Sequence, residues 1–158
     1  MKIELKNISY NASLSEETSA FTGRIYVDGV YTADVSNHGH GDPDMVRAVK
    51  GQEARLAAAE AWCKAQPPVE AHGMSLDYDL EMKVGELLED YLLEKDFNRL
   101  MKSKVLVKSD NGIMQYSWKG VRAVEKKHID MIKAKFPDAV ILNAMPRDEA
   151  FSIFKAGV

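Results

Sequence analysis

The middle of the chain carries one long helical repeat of apolar residues, and this repeat constrains the fold more than any other feature. Its apolar positions recur at three- and four-residue spacing, as on one face of an amphipathic helix: Leu80, Val84, Leu87, Leu88, Tyr91 and Leu92. Lys95, Arg99 and Lys102 follow toward the end, where cations suit the helix dipole. We predict a helix from about Leu76 to about Met101, with one face packed against other elements.

A β-hairpin signature lies ahead of this helix. The segment Ala20–Val27 is rich in aromatic and β-branched residues and ends at Asp28-Gly29. That dipeptide favours a type I′ turn, because both central positions of the turn need positive φ. The turn defines the pairs across the hairpin: Val27 with Val30, Ile25 with Thr32, and Tyr26 with Tyr31. With an alternating first strand through Ile3, Leu5, Ile8 and Tyr10 that can accommodate a bulge, the pattern predicts an antiparallel three-stranded meander.

A second hairpin signature follows the long helix. Val105–Val107 and Ile113–Trp118 flank Asp110-Asn111-Gly112, which is another turn sequence. If Asn111-Gly112 forms the turn, Val107 lies opposite Tyr116 and Val105 lies opposite Trp118. One face of this hairpin is then apolar and should pack against a helix.

The remaining segments complete an α+β order. Asp42-Pro43 suits a helix start, and this helix should continue past Gly51 to the Gln66-Pro67-Pro68 stop. The later predicted segments are a linker at Val69–Ser75, a helix through Val121, Val124, His128, Ile132 and Phe136, a short strand at Ala139–Ala144 and a helix at Arg147–Phe154. The predicted class is α+β: an N-terminal antiparallel three-stranded meander, long amphipathic helices, a second β-hairpin and a C-terminal helix and strand.

Length and composition indicate one globular domain. The chain has 158 residues, of which 46% are hydrophobic and 28% are charged, values typical of globular proteins with a packed core. We expect a single domain over 1–158. A finer division would place sub-units at 1–66 and 75–158, joined by the linker 67–74.

Charge and cysteine content exclude several classes of protein. The formal net charge of −3 disfavours direct nucleic-acid binding as the main role, although it leaves a local basic face open. Cys63 is the only cysteine, so neither an intramolecular disulfide nor a cysteine zinc cage can form. The sequence shows no secretion signal and no apolar run of ~20 residues. We therefore expect a cytoplasmic protein without a membrane partner.

The polar segment from Asn37 to Asp44 is the best candidate for a ligand site. Within it His38 and His40 point the same way if the strand end is extended, and with Asp42 and Asp44 they could bind a divalent metal. Alternatively, the amides around Gly39 and Gly41 could bind an anion. A solvated polar loop or helix cap is the simplest reading. The candidate ligand-binding residues are Asn37, His38, Gly39, His40, Gly41 and Asp42, and the metal candidates are His38, His40 and Asp42.

Other chemistry-bearing residues have simpler structural explanations. Cys63 lies beside Trp62 in the alanine-rich helix, where a buried, unreactive thiol is expected. His128 falls on the apolar stripe of its helix, as a core histidine does. Aromatic side chains on strands can stack on bases, but pairing opposite apolar residues favours core packing for Tyr26, Tyr31, Tyr116 and Trp118. No residue is assigned a catalytic role, and no cofactor is required.

The first third of the chain resembles a group of small uncharacterised proteins carried by bacteriophages and prophages. The resemblance rests on Leu14-Ser15-Glu16-Glu17-Thr18, Phe21, Tyr26-Val27-Asp28-Gly29 and Asn37-His38-Gly39-His40-Gly41. In those proteins the loop usually reads Asn-x-Gly-x-Gly-Gly, whereas Asp42 stands in the last position here, which weakens an anion site made of amides alone. The resemblance implies a role inside a bacterial host and implies no particular reaction.

These observations favour a non-enzymatic binding protein. Its expected partner is a host or defence protein, or a nucleotide-like ligand that it sequesters, with the Asn37–Asp44 segment contributing to the site. The alternative is a metal-assisted hydrolase or nuclease that uses His38, His40 and Asp42. Exposed sheet edges are also compatible with a homodimer.

Overall fold

Antiparallel strands and four helices make up the chain, which confirms the α+β class. The structure is a computed structural model that describes residues 1–158. Its strands are β1 (Ile3–Tyr10), β2 (Phe21–Val27), β3 (Val30–Asn37), β4 (Met45–Ala48), β5 (Val69–Ala71), β6 (Met74–Leu76), β7 (Val105–Ser109) and β8 (Gly112–Tyr116). Its helices are α1 (Glu53–Lys64), α2 (Leu80–Ser103), α3 (Lys126–Lys135) and α4 (Arg147–Ala156), with 3₁₀ turns at Ala12–Leu14 and Leu142–Ala144.

The chain divides into two compact units. The N-terminal unit comprises Met1–Glu89 and the C-terminal unit comprises Asp90–Val158. The division falls inside α2 and not in residues 67–74. No helix combines the length and the apolar character that crossing a membrane requires.

A four-stranded sheet with the order β1-β2-β3-β4 dominates the N-terminal unit, so the three-stranded prediction was one strand short. Its inner face is apolar because alternate residues of each strand point the same way. The buried residues on this face are Ile3, Phe21, Ile25, Val27, Ala33 and Val35. Helix α1 packs on β2 and β3, and its buried residues are Ala59 and Cys63. One side of the sheet is thus covered, and the other carries its polar residues.

The fourth strand occupies the place where a helix was predicted. Asp42-Pro43 does not start a helix: the chain turns back, and Met45–Ala48 pairs antiparallel with β3. The sequence Met45-Val46-Arg47-Ala48 alternates exposed and half-buried positions, which is the period of a strand. Helix α1 begins only at Glu53, after a turn in which Gly51 has a φ of 83°.

Bulges shift parts of the first hairpin from the predicted register. The pairs Val27–Val30 and Tyr26–Tyr31 are confirmed, but Ile25 pairs with Ala33 and not with Thr32. An irregularity between Ile25 and Tyr26 causes this shift, because an extra residue on one strand displaces every later pair. Strand β1 contains the second irregularity, between Lys6 and Ser9.

A two-stranded hairpin overlaps the segment predicted as a linker. Val69–Ala71 pairs with Met74–Leu76 in this hairpin. The central residues of its turn, His72 and Gly73, have φ values of 51° and 76°, and positive φ at both positions is the requirement of a type I′ turn. His72 therefore has a structural position in this turn.

The C-terminal unit combines the β7/β8 hairpin with α3, α4 and the end of α2. Val105 pairs with Tyr116 and Val107 with Met114, so the register differs by two residues from the prediction. A shift of two keeps the same side chains on the same face. The predicted strand 139–144 is reduced to a single bridge between Val107 and Ile141 and the second 3₁₀ turn. Two clusters form the core of this unit: Phe97, Leu100, Leu106, Leu142, Ala150 and Phe154 in one, and Val105, Val107, Ile132 and Ile141 in the other.

Candidate ligand-binding site

The Asn37 side chain organises the Asn37–Asp44 segment from within. Its Oδ1 accepts hydrogen bonds from the Gly39 amide and the Thr18 hydroxyl, both at 2.8 Å. Its Nδ2 donates to the Asp42 carbonyl oxygen and to Asp44 Oδ1, both at 2.9 Å. Asn37 is buried and all of these bonds are internal. The residue therefore holds the segment in shape, and its amide group has no bonding capacity left for a ligand.

Gly39 occupies a position that has no room for a side chain. Its φ is 87°, and a Cβ added there would collide with the Leu14 carbonyl oxygen. The Gly39 carbonyl oxygen accepts hydrogen bonds from the amides of Glu16 and Glu17, at 3.1 and 3.0 Å. This glycine thus joins the segment to the loop between β1 and β2.

The amides of the predicted anion site already have hydrogen-bond partners. The Gly39 amide donates to Asn37 Oδ1, and the Gly41 amide donates to the Thr18 hydroxyl at 3.3 Å. The segment leads into β4 and not into a helix, so the dipole of a helix N-terminus is also missing. An anion site made of these amides would require the internal bonds to break.

The side chains proposed as metal ligands do not converge. His38 and Asp42 are exposed, and His40 Nδ1 lies 3.5 Å from Glu16 Oε2 at the surface. The structure contains no group of three or more His, Cys, Asp or Glu side chains arranged to hold a metal ion. His38 instead lies at the edge of a shallow groove of about 180 Å³ beside Asn37 and Phe21.

The fold perturbs the Asp44 carboxylate at the end of the segment. Burial raises the pKa of the Asp44 carboxyl, the hydrogen bond from Asn37 opposes this effect, and the charges of Glu81 and Asp79 add to it. The Asp44 amide also donates to Glu81 Oε1 at 3.1 Å. Asp44 is therefore part of the scaffold beneath the segment.

We call the solvent-facing side of the four-stranded sheet the outer face. It brings more charged and polar side chains together than the Asn37–Asp44 segment does. The residues of this face are Glu4, Lys6, Thr22, Arg24, Tyr26, Tyr31, Asp34, Ser36, Met45 and Arg47. One row of neighbours crosses all four strands: Lys6 pairs with Arg24, Arg24 with Asp34, and Asp34 with Arg47. Directly opposite residues have their Cβ atoms about 5 Å apart. Three cations and one carboxylate thus share a single line across the sheet.

A groove runs along this row. Its cavity measures about 490 Å³, and polar side chains of four strands line it together with Met45: Asn7, Thr22, Arg24, Asp34, Ser36 and Arg47. This volume lies within the ~300–1,000 Å³ of typical small-molecule sites. Within the N-terminal unit, neither Arg24 nor Arg47 has an ion-pair partner. The groove therefore offers two guanidinium groups without ion-pair partners beside two hydroxyl groups.

The aromatic pair next to the groove contacts two cations of the same row. The Tyr26 and Tyr31 rings stack with their centroids 5.6 Å apart. Both residues are half-buried on the outer face, so core packing was the wrong prediction for these two tyrosines. Lys6 Nζ lies 4.7 Å from the Tyr26 centroid and the Arg24 guanidinium 5.0 Å from the Tyr31 centroid, as in cation–π pairs. The rings hold the long cationic side chains in defined positions.

Asp34 is positioned by a tyrosine hydroxyl. Tyr31 donates to Asp34 Oδ1 at 2.5 Å, and this hydrogen bond, with smaller contributions from burial and from the Asp34 charge, raises the pKa of Tyr31. The phenol therefore stays protonated and keeps donating at physiological pH. The second carboxylate oxygen of Asp34 remains available to accept a hydrogen bond from a ligand.

Sequence reasoning missed this groove because it missed β4. The alternation of Lys6, Arg24 and Asp34 along predicted strands was visible in the sequence. Arg47 and Met45 were assigned to a helix, however, so they could not be placed beside that row. The period-2 pattern from Met45 to Ala48 was the signal that would have located them.

The other candidates take the structural roles expected of them. Cys63 is fully buried, and burial raises the pKa of its thiol. His128 is buried, accepts a hydrogen bond from the Glu125 amide at Nδ1 (3.0 Å) and packs 4.7 Å from the Trp118 ring. Neither group faces a cavity described above.

Comparisons with protein-family models, with curated proteins and with solved structures found no match for this chain.

Proposed function

We propose that this protein is a non-enzymatic binding protein whose outer face holds a nucleotide-like ligand. The observation that carries the proposal is the groove between Arg24 and Arg47, in which two unpaired guanidinium groups flank a fixed carboxylate. Arginine binds phosphate through charge-assisted, often bidentate hydrogen bonds. The two arginines would therefore take the phosphate groups of the ligand.

The carboxylate between the arginines supports a nucleotide over a simple anion. A site built only for phosphate would exclude Asp34, because like charges repel. A carboxylate instead suits a ribose hydroxyl or an exocyclic amino group, both of which donate hydrogen bonds. Thr22 and Ser36 add hydroxyl groups, and Met45 adds an apolar contact for a base. The groove thus combines cations for phosphate groups with hydrogen-bond acceptors for the hydroxyl and amino groups of a nucleoside.

The resemblance of the first third of the chain to phage and prophage proteins supports a role for this ligand binding inside a bacterial host. We propose that the protein acts in the cytoplasm of a bacterial host, where sequestering a nucleotide-like signal would oppose a defence response. A host or defence protein is the alternative partner. A binding measurement separates the two, because only a small ligand gives saturable binding to the isolated chain.

Isothermal titration calorimetry of the full chain with ATP tests the proposal, with adenosine and pyrophosphate as partial ligands. The test variant is Arg24→Gln with Arg47→Gln, and the matched control is Lys50→Gln with Arg55→Gln, two exposed cations of the same unit. A charge-assisted hydrogen bond contributes about 1.5–3 kcal/mol, so the test variant should weaken ATP binding about 100-fold or more. The control should bind as the parent does.

Two results would overturn the proposal. One is the absence of binding heat for ATP and for both partial ligands with the parent protein. The other is an equal loss of affinity in the test and control variants, which would show that net charge alone attracts the nucleotide.

A further inference from the structure

The charges of this chain are divided unequally between its two units. The N-terminal unit holds eight Lys and Arg against fifteen Asp and Glu, a net charge of −7. The C-terminal unit holds thirteen Lys and Arg against nine Asp and Glu, a net charge of +4. The whole-chain charge of −3 therefore conceals a basic unit, and it is no guide to what that unit can bind.

The positive charge of the C-terminal unit is concentrated in one stretch. Residues 102–135 contain nine Lys and Arg but only three Asp and Glu. Four cations lie elsewhere in the unit. Lys95 forms no ion pair, and the other three are paired: Arg99 with Asp96, Arg147 with Glu94, and Lys155 with Asp90. The excess positive charge therefore lies in residues 102–135, and six of the nine cations belong to α3 and the loop before it.

Most cations of this stretch have no ion-pair partner within the unit. We call the set Lys119, Arg122, Lys126, Lys127, Lys133 and Lys135 the basic face, and all six side chains are exposed. Lys126 pairs with Asp130 at 3.7 Å and Lys127 with Glu125 at 3.4 Å. The other four form no ion pair within the C-terminal unit. Their charges are available to an external anion.

The backbone under the basic face is anchored. The Val124 amide donates to the Lys102 carbonyl oxygen at 2.8 Å, which ties the loop to the end of α2. Trp118 packs on buried His128, and Ile132 of α3 belongs to the core of the unit. The cations are thus carried on a fixed support, which lowers the entropic cost of ordering them against a partner.

We propose that the basic face binds the phosphodiester backbone of a nucleic acid. Regularly spaced phosphates match several separate cations, whereas a small anion would engage only one or two. A membrane-binding helix presents an apolar stripe to the bilayer, but α3 buries His128 and Ile132 within its own unit. The acidic unit of a second copy is another possible partner for the basic face. That contact would join copies head to tail into open chains unless a ring closed. This inference does not rest on the proposed nucleotide site.

Fluorescence anisotropy of the full chain with a labelled 20-base-pair DNA duplex, repeated over a range of salt concentrations, tests this proposal. The test variant is K119Q/R122Q/K133Q/K135Q, and the matched control K50Q/R55Q/K64Q/K95Q removes four exposed cations outside the basic face. Each phosphate contact contributes about 0.9 to the slope of log K against log salt. The test variant should bind about tenfold or more weakly at low salt and show a shallower slope, and the control should match the parent.

Three outcomes would overturn the proposal. The first is no anisotropy change with the duplex at low salt for the parent protein. The second is an equal loss of affinity in both quadruple variants. The third is binding to phosphatidylglycerol vesicles but not to DNA, which would identify the basic face as a membrane surface. Circular dichroism spectra of both variants confirm that a loss of binding is not a loss of folding.

Discussion

Gly39 shows how a single residue fixes the connection between two loops. Its positive φ and its contact with the Leu14 carbonyl oxygen act together, so two separate penalties should follow from a side chain. A non-glycine residue in this conformation costs about 1–2 kcal/mol, and the collision adds to that. The residue therefore belongs to the scaffold of the Asn37–Asp44 segment, whatever that segment binds.

Gly39→Ala should lower the free energy of unfolding by more than Gly29→Ala. Gly29 is the matched control because its φ is 81° and a Cβ there would meet nothing within 4 Å. We expect a loss of about 1 kcal/mol for Gly29→Ala and about 3 kcal/mol or more for Gly39→Ala. Urea denaturation measures both values. Equal losses would show that the Leu14 contact does not constrain Gly39.

Asp44 should make stability depend on pH in an unusual direction. A carboxyl whose pKa is raised on folding stabilises the fold at low pH, and this contribution is lost as the pH rises through the folded pKa. Asp44→Asn keeps an oxygen acceptor for Asn37 and removes the charge that burial disfavours. We expect this variant to be more stable than the parent at neutral pH and equal to it below about pH 3.

Denaturation curves at a series of pH values test this expectation. Asp42→Asn is the control, because the Asp42 carbonyl oxygen and not its exposed carboxylate bonds to Asn37. A parent more stable than Asp44→Asn at neutral pH would show that the charged carboxylate is favoured in the fold.

At the scale of elements, Asn143 ties a strand to the end of a helix. Its Oδ1 accepts from the Leu106 amide at 2.7 Å, and its Nδ2 donates to the carbonyl oxygens of Met101 and Lys104 at 3.2 and 2.9 Å. Carbonyl groups at a helix C-terminus lack partners within the helix. The side chain thus satisfies the last turn of α2 and the start of β7 at once.

Asn143→Ala should cost about 2–3 kcal/mol of unfolding free energy, since three hydrogen bonds at about 1 kcal/mol each are lost. Asn98→Ala is the control, because Asn98 is exposed and accepts a single bond from Arg147. It should cost less than about 1 kcal/mol. Similar losses for the two variants in urea denaturation would show that Asn143 does not connect the elements.

Elements with a clear period or turn sequence were predictable from the sequence. The long helix α2 and the β2/β3 and β7/β8 hairpins were found, because apolar spacing and turn sequences are local signals. The turn of β7/β8 lies at Asp110-Asn111, one residue before the predicted position, since Ser109 pairs with Gly112. Strand β4 was missed because Asp42-Pro43 is also a good helix start in the sequence. Only the tertiary structure shows that the edge of β3 is available to pair with Met45–Ala48. Asn143 and Asn37 act through partners distant in sequence, so no local pattern could have revealed them.

At the scale of the whole chain, the two proposed surfaces belong to different units with opposite net charge. The outer face is a local basic row within an acidic unit, and the basic face is the charged side of a basic unit. Charges in water are screened beyond about 8 Å at physiological ionic strength. Binding at either surface therefore depends on its own residues more than on the net charge of the chain.

We propose that the outer face, and not the Asn37–Asp44 segment, holds the ligand. A nuclear magnetic resonance titration of the ¹⁵N-labelled full chain with ATP tests it most directly. We expect saturable amide shift changes at Thr22, Arg24, Asp34, Ser36 and Arg47, with little change at His38, His40 and Asp42. Shift changes confined to His38, His40 and Asp42, or none at any of these residues, would contradict it.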